Sequence, residues 1–140
     1  MTEQLLVALG CDPNDRHSEV YLEKVRPLEY QSTMEAAFRN LECGGSTVLT
    51  APFLREMLDE AWLARVANRC VGLDADIAFV WVDCDVTTMR AHIQQRGAAR
   101  GAWNLAHWPD YEAGLNVAMR PCVPHFVVDN RCNAAVCLAE

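Results

Sequence analysis

The sequence predicts an α/β fold in three layers, a parallel sheet flanked by helices. Three observations predict it. Ile77-Ala78-Phe79-Val80-Trp81-Val82 is a continuous apolar run, rich in β-branched and aromatic residues, as in strands buried on both faces of a parallel sheet. Two shorter runs of similar character stand before and after it, Thr47-Val48-Leu49-Thr50-Ala51 and His125-Phe126-Val127-Val128-Asp129. Segments with helical periodicity separate the three, and such alternation implies right-handed crossovers between parallel strands.

Residues 2–9 read as a short helix closed by Gly10, followed by a turn in which Pro13 and Asn14 set the bend. Ser18 is an N-cap type, 19–25 a helical segment ended by Pro27, and 28–41 a second helix with Tyr30, Met34, Phe38 and Leu41 on one side. Gly44 and Gly45 stop it. Strand 47–51 ends at Pro52-Phe53, after which Leu54, Leu58, Ala61, Trp62 and Val66 recur at helical spacing up to Cys70. Glu56, Asp59 and Glu60 near the start of that helix, and Arg65 and Arg69 near its end, match the helix dipole. Strand 77–82 leads through the capping types Asp83, Asp85 and Thr87 into a helix with Met89 and Ile93 on one face and Gly97 just past its end. The pattern then changes character. Arg96 and Arg100, small residues between them, and the tryptophans Trp103 and Trp108 read as a mobile, anion-seeking flap. Pro109 begins a helix running to 118, Pro121 and Pro124 break the chain, 125–129 is the third strand, and 132–138 a terminal helix.

A chain of 140 residues holds one domain with a single core. At 51% hydrophobic and 22% charged residues it is globular and not disordered. A net charge of -7 argues against nucleic acid or an anionic membrane as the main partner, because both are bound through clustered positive charge. No apolar run approaches the roughly 20 residues that span a bilayer, and no basic start precedes an apolar core, so the expected location is cytoplasmic. The seven cysteines, at 11, 43, 70, 84, 122, 132 and 137, form no C-x-x-C pair, and no histidine has metal-ligand spacing. No metal site is expected from protein ligands, and several cysteines are expected to be small buried hydrophobes.

A strand ending in WVDCD, a helix carrying TMR, then RGAARGAWNLAHW, with TVLTAPF upstream and HFVVDN downstream, resembles the AAA-type P-loop kinase-like proteins, small ATP-binding proteins related to shikimate and gluconate kinases. Their pattern is closer to RGAPRDAWKLAHW and VVLDAPF. This chain has Gly101 for the Asp, Asn104 for the Lys and Thr50 for the strand-end Asp. The resemblance covers nearly the whole chain but only the part of the family's domain after the phosphate-binding loop. It implies an incomplete P-loop kinase-like domain without its Walker A segment, whose central phosphate-loop strand is missing. On that reading 1–45 is a helical acceptor-side region, 46–95 and 121–140 the sheet core, and 96–120 the lid and the helix after it.

The implied function is the acceptor-and-lid portion of a small-molecule kinase, inactive alone, with ATP and Mg2+ as the family's cofactors and weak or absent binding here. The alternative is a non-catalytic binding or interaction module. No G-x-x-x-x-G-K-[ST] occurs, and the only lysine, Lys24, has no glycine nearer upstream than Gly10. Arg96 and Arg100 match the lid arginines that close over the transferring phosphate, a role suited to the planar guanidinium fork, while the plainer reading pairs them with Asp83, Asp85 or Asp110. Asp129 and Asn130 match the loop near the nucleotide, at the carboxyl end of a parallel strand, or else initiate a turn. Arg26 and Glu29 are candidates for the acceptor site, or else a surface ion pair. The expected partner is a nucleotide or small phosphorylated molecule. Because the family's missing strand lies between those matching 47–51 and 77–83, self-association or a partner chain filling the sheet is expected as well.

Overall fold

The computed structural model describes residues 2–131, apart from the side chain of Arg100. The expected helix over 132–138 lies outside the described residues. The chain divides into two compact units, one made of the residues up to Pro52 with Gly72–Ala75, the other of Phe53–Val71 and the residues from Asp76 on.

The first unit is helical. Helix α1 (Thr2–Ala8) is shorter than the roughly 12–15 residues that hold a helix in isolation, so packing must hold it. Leu6, fully buried, packs with Tyr21 and Val25, and Leu5, Cys11 and Leu22 close around them. Asp15 ties the connection down by accepting from the His17 and Ser18 backbone N–H groups, both at 2.9 Å. Its bond with the Ser18 side chain holds its carboxyl below the usual range. Residues Tyr21–Val25 form a wide turn in which the Arg26 N–H reaches back to the Tyr21 carbonyl. Helix α2 (Arg26–Glu42) continues from it without a break, since Pro27 sits in the first turn, where a missing N–H costs nothing. Proline at that place starts α2 where the sequence reading had it end the preceding segment.

The second unit carries the sheet. Phe53, at a left-handed φ of 43°, and Trp62 put their rings 5.8 Å apart at the start of α3 (Glu60–Gly72). Leu63, Val66 and Cys70 are the buried stripe of that helix. Strand β1 (Val80–Asp83) then runs parallel to β2 (Phe126–Asp129), Val80 opposite Phe126 and Asp83 opposite Asp129. Between them lie α4 (Val86–Arg96), α5 (Ala99–Ala106) and α6 (Trp108–Ala113). Asp85 caps α4 by accepting from the Thr88 N–H at 2.7 Å, and Gly97 ends it at a left-handed φ of 57°, both at the positions their residue types announce.

The three-layer parallel sheet flanked by helices is therefore corrected. Among the described residues the chain is mostly helical, and only β1 and β2 pair. A strand exists only where a second backbone offers its hydrogen bonds. The apolar segment 47–51 finds none among the described residues and stays irregular and unpaired, with a bend at Ala51. The run 77–82 is likewise cut to its last three residues, which with Asp83 make the four that β2 matches.

Most of the stretch 96–108, expected as a flap, is helix. Ala99, Ala102 and Ala106 favour helix strongly enough to carry Gly101 within it. Gly101 has a packing reason to be there: a Cβ at this position would stand 3.0 Å from Ile93 Cγ2, so its bare backbone lets α5 lie close on α4. Of the described cysteines only Cys70 is buried; Cys11 and Cys84 are half-buried, and Cys43 and Cys122 exposed. No helix among the described residues is long and apolar enough to cross a membrane.

Candidate functional site at the carboxyl ends of the paired strands

Parallel strands gather chemistry at their carboxyl ends, where the backbone leaves the sheet and side chains converge. Here Asp83 and Asp129 end the two strands side by side. They share a face of the sheet with Trp81, because residues in register point the same way. The Asn130 N–H donates to the Asp83 carbonyl at 2.8 Å, carrying the pairing one residue past β2. Both carboxylates hold an arginine. Arg120 meets Asp83 at 2.9 Å with its guanidinium 6.0 Å from the centre of the Trp81 ring, and it donates to the carbonyls of Val117 and Met119. Arg131 forks onto Asp129, Nε at 2.8 Å and Nη2 at 2.6 Å. Those hydrogen bonds hold the Asp129 carboxyl down at about 2 and raise the guanidinium further.

Asp85 adds a third acid, but its Oδ1 caps α4 and its Oδ2 accepts from the Thr88 hydroxyl at 3.0 Å. The Thr88 backbone bond is the main cause that lowers its pKa. No described group of three or more acids, histidines or cysteines is arranged to hold a metal ion. Two guanidinium groups, each half-exposed, thus neutralise the two strand-end carboxylates, Arg120 through one nitrogen and Arg131 through two.

The other expected site residues fall elsewhere. Arg96 ends α4, exposed, its Nε donating to the His92 carbonyl at 3.3 Å. Arg100 lies on α5, and its side chain is outside the described residues. Trp103 stacks on His107 with ring centres 4.5 Å apart, and His107 Nδ1 lies 3.0 Å from the Trp103 carbonyl. Trp108 is buried, donates its indole N–H to Glu112 Oε2 at 2.8 Å, and lies 5.2 Å from the Arg90 guanidinium.

Arg26 and Glu29 belong to the first unit and share its helix α2. Arg26 covers the Tyr30 ring at 4.4 Å. Glu29 accepts from the Thr2 hydroxyl at 2.9 Å on one oxygen and from the Tyr21 hydroxyl at 3.0 Å on the other, fastening α1 and the wide turn to α2. Burial first, then the Glu29 bond and charge, push the Tyr21 hydroxyl from 10.0 up to about 12. The folded value lies above the unfolded one, so this contribution is whole below pH 10 and is lost as pH rises through about 12. In an ultraviolet tyrosinate titration, Tyr21→Phe is expected to remove the highest of the three transitions, and Glu29→Gln to move it down. Three wild-type transitions all centred near pH 10 would refute this arrangement.

Sequence reasoning passed over Arg120 and Arg131. The second had a signal, since Asp129-Asn130-Arg131 places an arginine two residues beyond a turn-forming acid, within reach of its carboxylate. Arg120 had none, because 37 residues of sequence separate it from Asp83, its partner. No family model, no curated protein and no solved structure matches this chain.

Proposed function

We propose that this chain is the acceptor-and-lid portion of a nucleotide-dependent small-molecule phosphotransferase, inactive by itself. The observation that carries the reading is the pair of arginine–carboxylate contacts at the carboxyl ends of two parallel strands, beside Asn130. The RGAARGAWNLAHW resemblance supports it. A phosphoryl-transfer centre needs backbone N–H groups and a lysine around the phosphates, and these 140 residues contain no such motif. What remains is arginine-based affinity for phosphate esters. It is weak and salt-sensitive, because exposed charge pairs contribute about 0–1 kcal/mol and are screened over roughly 10 Å at 0.1 M salt.

Adding ADP or pyrophosphate to isotope-labelled protein at low salt is expected to shift the amide signals of Arg96, Trp103 and 129–131, with Mg2+-dependent ATP turnover at background. Turnover above background, or shifts confined to the first unit, would end this reading. One observation favours a non-catalytic binding module instead: both strand-end carboxylates are already neutralised by arginines, which leaves neither free as a general base. Such a module would give the same shifts, and no added strand or phosphate-binding loop would restore turnover to it.

A further inference from the structure

Arg131 spends only one side of its guanidinium on Asp129. Nε and Nη2 each give one N–H to a different carboxylate oxygen, at 2.8 and 2.6 Å, the side-on arrangement. The N–H groups of Nη1 and the second N–H of Nη2 have no partner among the described residues. One from each nitrogen points the same way along the end of the fork, which makes a second bidentate edge. Arg120 keeps no such edge, because its Nη1 donates to both the Val117 and the Met119 carbonyl and its Nη2 is on Asp83. The direction of the Arg131 edge is fixed. The Arg131 backbone N–H donates to Asp129 Oδ1 at 3.0 Å, so one carboxylate holds this residue by main chain and side chain together, just past β2. Half of the Arg131 side chain still meets solvent.

Charge alone does not draw an anion to this place. Asp83 and Asp85 act on Arg131 as well as Asp129 does, so three carboxylates stand against the two guanidinium groups of Arg120 and Arg131. An anion is held here only by directed hydrogen bonds. We propose that the end edge of Arg131 is the phosphate-binding fork of the candidate site and that Asp129 is its positioning residue, turning the guanidinium so that Nη1 and Nη2 take two oxygens of one phosphate group. Asp129 keeps its own two contacts while the phosphate is bound, and no proton moves. The ligand class rests on the phosphotransferase reading, which this deepens by naming the group that meets the phosphate.

Asp129→Asn separates positioning from attraction. It keeps the side chain's size and the oxygen that accepts the Arg131 backbone N–H, removes a negative charge, and sets an amide NH2 against Nη2. Attraction by charge would then tighten anion binding, whereas loss of positioning is expected to weaken it about threefold or more. Arg131→Lys keeps the charge without the fork and is expected to weaken binding as much. The full isotope-labelled chain is titrated with inorganic pyrophosphate at an ionic strength fixed with chloride, following the Arg131 side-chain N–H signals, while amide protection in β1 and β2 checks the fold. Pyrophosphate is expected to move those signals in the wild type, chloride is not, and both variants are expected to bind more weakly. Equal or tighter binding by Asp129→Asn, with Arg131→Lys still weakened, overturns the positioning role and leaves the phosphotransferase reading standing. Binding that leaves the Arg131 signals unmoved, or that Arg131→Lys does not weaken, overturns the fork. A wild type that binds no pyrophosphate ends both. If Asp129→Asn loses the sheet's protection, Arg131→Lys and the wild-type signals decide.

Discussion

Leu6→Ala is expected to cost about 2–5 kcal/mol and to open the helices of the first unit, the usual range for truncating a fully buried leucine. Its position makes the upper half of that range the expectation. Leu6 is 0% exposed and Val25 1%, the largest of the most deeply buried side chains among the described residues. Their cluster has only Tyr21 as a further buried member, so few neighbours can move in to fill the space. Val7 and Leu9, on the same short segment, are exposed and cannot substitute. Amide hydrogen exchange at Leu9, Gly10 and Cys11, whose N–H groups bond to the Leu5, Leu6 and Val7 carbonyls, reports the loss directly. Leu6→Met, which keeps the volume, is expected to stay under about 1.5 kcal/mol. Equal protection in Leu6→Ala and the wild type would mean that the cluster does not hold α1.

Trp108→Ala is expected to cost about 3–5 kcal/mol, as other buried large aromatics do. The indole is buried at the start of α6, gives its N–H to Glu112, and has the Tyr111 ring 5.5 Å away and the Arg90 guanidinium above it. Trp108 therefore joins α6 to α4 through Arg90, and Tyr111 reinforces the link with its hydroxyl 3.9 Å from Met89 Sδ. Burial raises the Tyr111 hydroxyl pKa, with Arg96 opposing. Thermal unfolding separates the contributions. Trp108→Phe retains most of the apolar area and is expected to lose about 1 kcal/mol for the Glu112 bond, while the alanine variant melts far lower. An alanine variant melting with the wild type would place the anchor of 99–113 elsewhere.

Local signals in the sequence were legible wherever the chain decides its conformation within a few residues. Asp85 and Gly97 bracket α4 because a capping oxygen and a missing Cβ act on their immediate neighbours. The periodic run read from Leu54 to Cys70 locates α3, although its start moves from 54 to Glu60 because Phe53 and Glu56–Leu58 turn the chain first. Strand 125–129 and the second half of 77–82 were legible for the same reason, as each is apolar and β-branched.

What could not be read is pairing. Val48 and Val82 look alike in sequence, and only the presence of β2 beside one of them makes a strand of it. At the site, Asp129 was legible as a strand-end acid, whereas the arginine that neutralises Asp83 depends on how 114–125 returns to the sheet. Glu29 was legible as a polar residue on α2, but its hold on Thr2, 27 residues away, required the fold.

The wide turn at Tyr21–Val25 acts as a phase shifter. A hydrogen bond spanning five residues where a regular helix spans four accommodates one residue more than the α-helical repeat, and each residue turns the helix by about 100°. Everything upstream is therefore rotated relative to α2 by that one residue. This is how Tyr21, on the far side of the turn, comes round to meet Glu29 while Val25 still faces Leu6. In an unbroken α-helix the eight steps from Tyr21 to Glu29 would set the two about 80° apart, so tightening the turn without removing a residue would swing Tyr21 away from the carboxylate. In this short stretch the span of one backbone hydrogen bond sets the direction in which the preceding residues face.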